Sequence, residues 1–211
     1  MPIPSSSPDR IFNKNHLRAH RRRAAFYKTD GYDFLLRWAE QNIIDRLDDI
    51  KRTFGNALLL VPEDTPKLKD YLEKRGTLID ILFDAAHDES ERLTPKRTSY
   101  DLIISLFELQ HLNDPVGWLI QMRRHLVEDG ALITGFIGGE TLHQLRQSLL
   151  ESELELTGGA SPRIFPFMDR LQLAGLMQRA GFAGALGAEN LVDSFDTALE
   201  LARVTAVPVQ A

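Results

Sequence analysis

The chain has 211 residues, a net charge of −5, 43% hydrophobic and 26% charged residues, and no cysteine. The missing cysteine excludes disulfide frameworks, thiolate nucleophiles and cysteine-ligated metal centres, and leaves the redox compartment unreadable. No apolar run approaches the roughly 20 residues that span a bilayer, and mild acidity argues against general nucleic-acid binding.

The charge is uneven. Residues 1–30 carry a net +5, leaving −10 for the remainder. Residues 1–10 form a Pro- and Ser-rich lead-in whose composition predicts disorder. Three readings of the basic stretch stay open: an organellar transit peptide, a surface helix docked through Ile11, Phe12, Leu17 and Phe26, or an arm for RNA or for peripheral membrane association with anionic lipid. The docked helix accounts best for the apolar residues.

From Tyr32 onward, Leu35, Trp38, Ala39, Ile43, Leu47 and Ile50 recur at helical spacing, with Gly55 expected as the C-cap. Ala57–Val61 is a continuous apolar run ended by Pro62, which suits a strand buried on both faces. Thr65–Arg75 reads as a helix stopped at Gly76, and Leu78–Phe83 as a strand interrupted by Asp80. Residues 85–99 are polar and predict no element.

Tyr100–Leu106 is another buried strand. Asn113-Asp114-Pro115 is a turn that caps a helix carrying Trp118, Leu119, Met122 and Leu126, and Asp129-Gly130 is expected to end it. Ala131–Ile137 is the next strand. A helix with Leu142, Leu145, Leu149 and Leu150 on one face, a Gly- and Pro-rich loop, a helix over 168–180, and a last strand and helix over 183–205 follow. Strands alternating with helices predict an α/β fold with a parallel sheet covered on both faces.

This series resembles a class I S-adenosylmethionine (SAM) dependent methyltransferase. The carrying residues are Ser99–Ser105, Leu126–Ile133 and Gln178-Arg179-Ala180-Gly181-Phe182. Three further features are similar to one branch: Ile11-Phe12 with Arg21-Arg22-Arg23-Ala24-Ala25, Gly138–Arg146, and Gly158-Gly159 with Ser161-Pro162-Arg163 and Pro166-Phe167. The branch is the methyltransferase-like assembly factor of respiratory complex I, of mitochondrial and alphaproteobacterial type. The resemblance implies a Rossmann-like domain over residues 11–205, with an N-terminal helical cap at 11–54, an insertion over the site mouth at 138–167 and a tail at 206–211. It implies a bacterial cytoplasmic setting, or the mitochondrial matrix if the source is eukaryotic.

The family's cofactor loop needs an acid and glycines after the first strand, so that backbone can approach the ligand closely. Here Leu59 stands where the acid belongs, and Val61, Glu63 and Thr65 stand where the glycines belong. Asp84, ending the second strand, is the candidate ribose acceptor. Asp84 and Asp101 lie only 17 positions apart, which implies that about one βα unit is missing. His111 and Glu108, after the fourth strand of the family pattern, are the candidates for catalysis. His143, Arg146 and Arg163 in the insertion are the candidates for partner contact. His16 and His20 have the spacing of a ligand pair but no third ligand, so no metal is expected.

The expectation is therefore a methyltransferase-like protein that has lost SAM and works through a protein partner as an assembly or scaffolding factor. The alternative is a functioning SAM-dependent methyltransferase with an unorthodox pocket.

Overall fold

A computed structural model describes residues 10–182, together with the backbone of residues 186–192 and 198–205. The expected lead-in (apart from Arg10) and tail lie outside the described residues. The elements run α1 (Lys14–Phe26), α2 (Phe34–Asp49), β1 (Asn56–Val61), α3 (Pro66–Lys74), β2 (Leu78–Phe83), β3 (Tyr100–Leu106), α4 (Pro115–His125), β4 (Leu126–Ile137), α5 (His143–Thr157), α6 (Arg170–Arg179), β5 (Leu186–Val192) and β6 (Ala198–Thr205).

The strands form one sheet in the order β2-β1-β3-β4-β6-β5. The first four are parallel, and β6 runs antiparallel to both β4 and β5. The α/β reading holds, while the helix expected in the last segment is instead strand β6, which pairs along β4 from Ala131↔Thr205 to Ile137↔Leu199. No strand lies outside β2 among the described residues. Residues 85–99 supply only a single 3₁₀ turn at Ala85–His87. The sheet therefore ends at β2, in keeping with the missing βα unit that the short Asp84–Asp101 spacing implied, and Leu78 and Phe83 of this edge strand are more than half exposed.

Because side chains alternate across a strand, β1 serves two cores. Leu58 and Leu60 pack with Trp118, Leu119 and Met122 of α4 and Leu173 and Met177 of α6. Ala57, Leu59 and Val61 pack with Leu36, Ala39, Ile43 and Leu47 of α2 and Leu68 and Leu72 of α3. Both faces being covered explains why the strand is apolar throughout.

Two expected boundaries move. Helix α2 ends at Asp49, and Gly55 is not its cap: its φ is not positive, and its N–H donates to Asp101 Oδ2 at 2.9 Å. A Cβ there would come within 3.1 Å of that oxygen, so close approach is what calls for glycine. Helix α4 ends at His125, and Asp129-Gly130 lies inside β4. Gly76, by contrast, takes the left-handed φ of +79° beyond α3 as expected of a helix stop.

Asp80 is buried rather than disruptive. It accepts from the Tyr100 hydroxyl at 2.7 Å and pairs with Arg97 at 2.6 Å. Burial, together with the Asp80 carboxylate, pushes the Tyr100 hydroxyl up to about 12, against the opposing pull of the Arg97 N–H. A phenol whose folded value lies above its unfolded value stabilises the fold below pH 10, and that contribution disappears as pH climbs toward 12. Urea unfolding is expected to show up to about 2 kcal/mol of stability lost over that interval. In Tyr100→Phe this component should be absent; an identical alkaline slope in wild type and variant would show that Tyr100 does not supply it.

Candidate functional site

The C-terminal ends of parallel strands are where open α/β sheets bind ligands. Here the loop Pro62–Thr65 follows β1, the turn Asp84–His87 follows β2, and Phe107–His111 follows β3. Helix α1 lies across these ends, held by Lys14. Its ammonium donates to the carbonyls of Ala86 and His111, each at 2.7 Å, and pairs with Glu91. Asn113 adds a reciprocal pair of bonds to Phe12, receiving its N–H at 2.8 Å and donating to its carbonyl at 3.0 Å. The basic N-terminal stretch is thus a docked helix, but it docks through Phe12 and the buried Lys14, with Leu17 half-buried; Ile11 and Phe26, expected to dock, are 67% and 87% exposed.

The residues at the cofactor-loop positions divide. Leu59 and Val61 are fully buried in the core beneath α2 and α3. Thr65 is buried just before α3. Glu63 faces outward and accepts from Lys28 at 2.9 Å and from the Tyr32 hydroxyl at 2.8 Å. Burial would raise its carboxyl, but these two donors outweigh burial and hold it below the ordinary value. None of Val61, Glu63, Asp64 or Thr65 has a positive φ, so the backbone here follows the side chains that are present. A cavity of about 760 Å³ opens alongside, bounded by Pro62, Glu63, Phe83, Asp84 and α1.

Asp84 takes a left-handed backbone, φ 52°, and its carboxylate pairs with Arg21 at 2.8 Å. The same guanidinium donates to the Pro62 carbonyl at 3.2 Å. Burial raises the Asp84 carboxyl, Arg21 opposes that, and Glu63 adds to it.

Glu108 is fully buried. It follows Phe107, another left-handed residue at φ 57°, and its Oε2 receives the Ala86 N–H at 2.6 Å, while Oε1 has no hydrogen-bond partner. Burial pushes its carboxyl up to about 7, against that N–H and with a contribution from Asp84. His111 is pushed down to about 4 by burial and then by Arg21 and Lys14. His87, which sequence reasoning passed over, is nearly fully buried and pushed down to about 3, first by burial and then by Arg21. Both imidazoles are therefore neutral at pH 7, resist protonation, and keep a nitrogen lone pair that a metal ion could take.

The two rings lie 5.5 Å apart and, with Phe12 and Phe165, line an apolar cavity of about 450 Å³ under α1. Oxygens of Asp84 and Glu108 and a ring nitrogen of His87 lie within 4.8 Å of one another. The three-residue step from Asp84 to His87 at a strand end was visible in the sequence. What was not visible is that the turn after β3 brings Glu108 to them.

The partner-contact candidates do not join this site. Arg146 bonds the carbonyls of Gly139 and Thr141 at 3.2 and 3.3 Å. Arg163 clips to Glu153, holding that carboxyl down to about 2, and His143 Nδ1 lies 3.1 Å from the Glu140 carbonyl oxygen. These contacts shape the insertion from within. Helix α5 buries none of its residues, leaving Leu145, Leu149, Leu150 and Leu154 exposed.

A methyltransferase-domain family model matches residues 15–185. The arginine-hydroxylase NDUFAF5, mitochondrial, of zebrafish is 34% identical over 168 residues, covering 72% of this chain and 52% of that protein. The human protein of the same name is 33% identical over 201 residues, covering 86% and 58%. The chain thus spans little more than half the length of these relatives. The crystal structure of a Burkholderia thailandensis 1,6-didemethyltoxoflavin-N1-methyltransferase, solved with S-adenosylhomocysteine, superposes with a TM-score of 0.55 at 14% identity, covering 97% of this chain and 93% of that one. That likeness shows the fold. Among the described residues no helix is long and apolar enough to cross a membrane.

Proposed function

The chain belongs to the methyltransferase-domain family, and from that premise we propose that it works without SAM, as an assembly or scaffolding factor that engages a protein partner, in the respiratory complex I setting that its branch resemblance implies. The carrying observation is that the chain's own side chains take up the groups a SAM molecule would need. Asp84, which stands where the family accepts the ribose hydroxyls, is paired with Arg21. Glu63 and Asp64 would set carboxylates against the ligand's own carboxylate, and Glu63 is already engaged by Lys28 and Tyr32. The residues present do not fit the cofactor.

The relatives' name points to an arginine side chain as what those proteins act on. In this chain a guanidinium already rests on Asp84 and the Pro62 carbonyl, and this supports a partner-directed role in which an arginine of the partner is received at the same carboxylate. The cavity of about 760 Å³ beside Glu63 and Asp84 favours the second reading, a functioning methyltransferase with an unorthodox pocket. Isothermal titration separates the two. No saturable heat with SAM is expected, alongside a clear isotherm from a SAM-binding methyltransferase run as control. Micromolar one-to-one binding of SAM would overturn the SAM-free reading and favour the second.

A further inference from the structure

The geometry points to a new cation site: Asp84, His87 and Glu108 together hold one divalent transition-metal ion beneath α1. Three observations carry this inference. One ligand atom from each residue lies within 4.8 Å of the other two, near enough for small side-chain rotations to bring all three onto one ion at bond lengths of about 2.0–2.2 Å. His87 is 3% exposed, yet neither ring nitrogen has a hydrogen-bond partner, and its Nδ1 stands 3.5 Å from Asp84 Oδ1. Glu108 is fully buried, with Oε1 likewise unpartnered while Oε2 is anchored by the Ala86 N–H. Buried polar atoms are normally satisfied, and a cation shared among these three residues would satisfy them together.

The donor set also selects the ion. Two carboxylates and one imidazole suit zinc, iron(II) or manganese(II), whereas soft thiophilic ions want sulfur. Three protein ligands leave coordination positions open, as in metal sites that take a substrate or water. His87 also borders the apolar cavity of about 450 Å³, together with His111, Phe12 and Phe165, so a small molecule or side chain has a route to an open position.

Cations face the cluster and must be placed. Lys14 is neutralised by Glu91 and spends its other protons on two carbonyls. Arg21 is the direct competitor, since its guanidinium sits on the Asp84 carboxylate; its side chain is 32% exposed and can swing outward when a metal binds. Arg18 lies at the rim, 3.7 Å from Glu89. The site is thus one in which an arginine and a metal ion contend for the same oxygen.

The inference goes beyond the SAM-free reading and does not depend on it; a protein that bound both SAM and zinc would overturn that reading and leave this one standing. The test is isothermal titration of the full chain, stripped with chelator, against Zn(II), with the visible absorption of Co(II) reporting the coordination geometry of the bound ion. Wild type is expected to bind one Zn(II) per chain with micromolar affinity and a raised melting temperature. His87→Gln and Glu108→Gln, close in size to the native side chains, should weaken binding at least about tenfold, while a His16→Gln/His20→Gln double variant should bind as wild type does. Arg21→Ala, a change at a partly exposed side chain, should tighten it. This last arm remains decisive if the buried variants fail to fold. No saturable binding, binding lost with His16 and His20, unchanged affinity in folded His87→Gln, or no tightening in Arg21→Ala would overturn the site.

Discussion

Lys14→Met is expected to lower unfolding stability by about 3 kcal/mol, although it retains most of the apolar stem. Lys14 is 2% exposed, and its ammonium is the shared donor for Glu91 and for the carbonyls of Ala86 and His111. Breaking a buried pair by removing one partner typically costs about 3–5 kcal/mol, because the surviving charge stays desolvated. The lower end applies here, since Glu91 keeps the N–H groups of Asn113 and Asp114 at 2.8 and 2.9 Å. The check is urea unfolding followed by tryptophan fluorescence. Adding Glu91→Gln to Lys14→Met should return part of the loss, because the two residues are coupled. Trypsin should also cut faster at Arg21–Arg23 in the single variant, since Lys14 pins α1 across the strand ends. A variant as stable as wild type and cut no faster would mean that α1 is held by its apolar contacts alone.

The feature at stake in that experiment was only half legible. The sequence pattern made α1 a docked helix from Ile11, Phe12 and Leu17, yet it gave no sign that one lysine of a seven-residue basic set is buried. Burial of a charge depends on partners 72 and more positions away, and local spacing carries no such information. The sheet was more legible, because strands covered on both faces must be apolar at every position and so stand out as runs. Even the shortened edge could be read, from the short distance between Asp84 and Asp101. The last segment was not, because antiparallel insertion of β6 between β4 and β5 is a pairing choice made by the whole sheet.

The candidate site shows the same division. Leu59, Val61, Glu63 and Thr65 announce a departure from the family loop by their identity alone. Asp84 and Glu108 were singled out for separate roles. Their convergence with His87 required the turns after β2 and β3, each entered through a left-handed non-glycine residue, Asp84 and Phe107. Such backbone positions cost about 1–3 kcal/mol and persist only where surrounding structure enforces them. Sequence patterns that assume unstrained turns do not anticipate them.

Glu40→Ala is expected to destabilise the fold by about 2–3 kcal/mol and to loosen the loop that departs most from the family. Glu40 sits in the middle of α2 and is fully buried among its apolar neighbours. Its Oε1 receives the N–H of Leu68 at 2.8 Å, in the first turn of α3, and its Oε2 receives Arg37 at 2.8 Å. The first N–H groups of a helix need outside acceptors, and the residue placed to cap α3, Thr65, makes no side-chain capping bond. Glu40 supplies the cap from a different helix. Its loss leaves a buried N–H unsatisfied, at about 1–3 kcal/mol, and removes a charge-assisted bond to Arg37. Arg37 still has Asp33 and the Asp64 carbonyl, each at 2.7 Å, so its penalty is small and the Leu68 amide dominates. Glu40→Gln, which keeps an acceptor for Leu68, should therefore lose less than half as much as Glu40→Ala. Hydrogen exchange should localise the effect, with the amides of Leu68 and of Glu63, Asp64 and Thr65 exchanging faster while the amides of β4 are unchanged. Equal losses in the two variants, or no local change in exchange, would show that the carboxylate is held by α2 for Arg37 and does not organise the loop after β1.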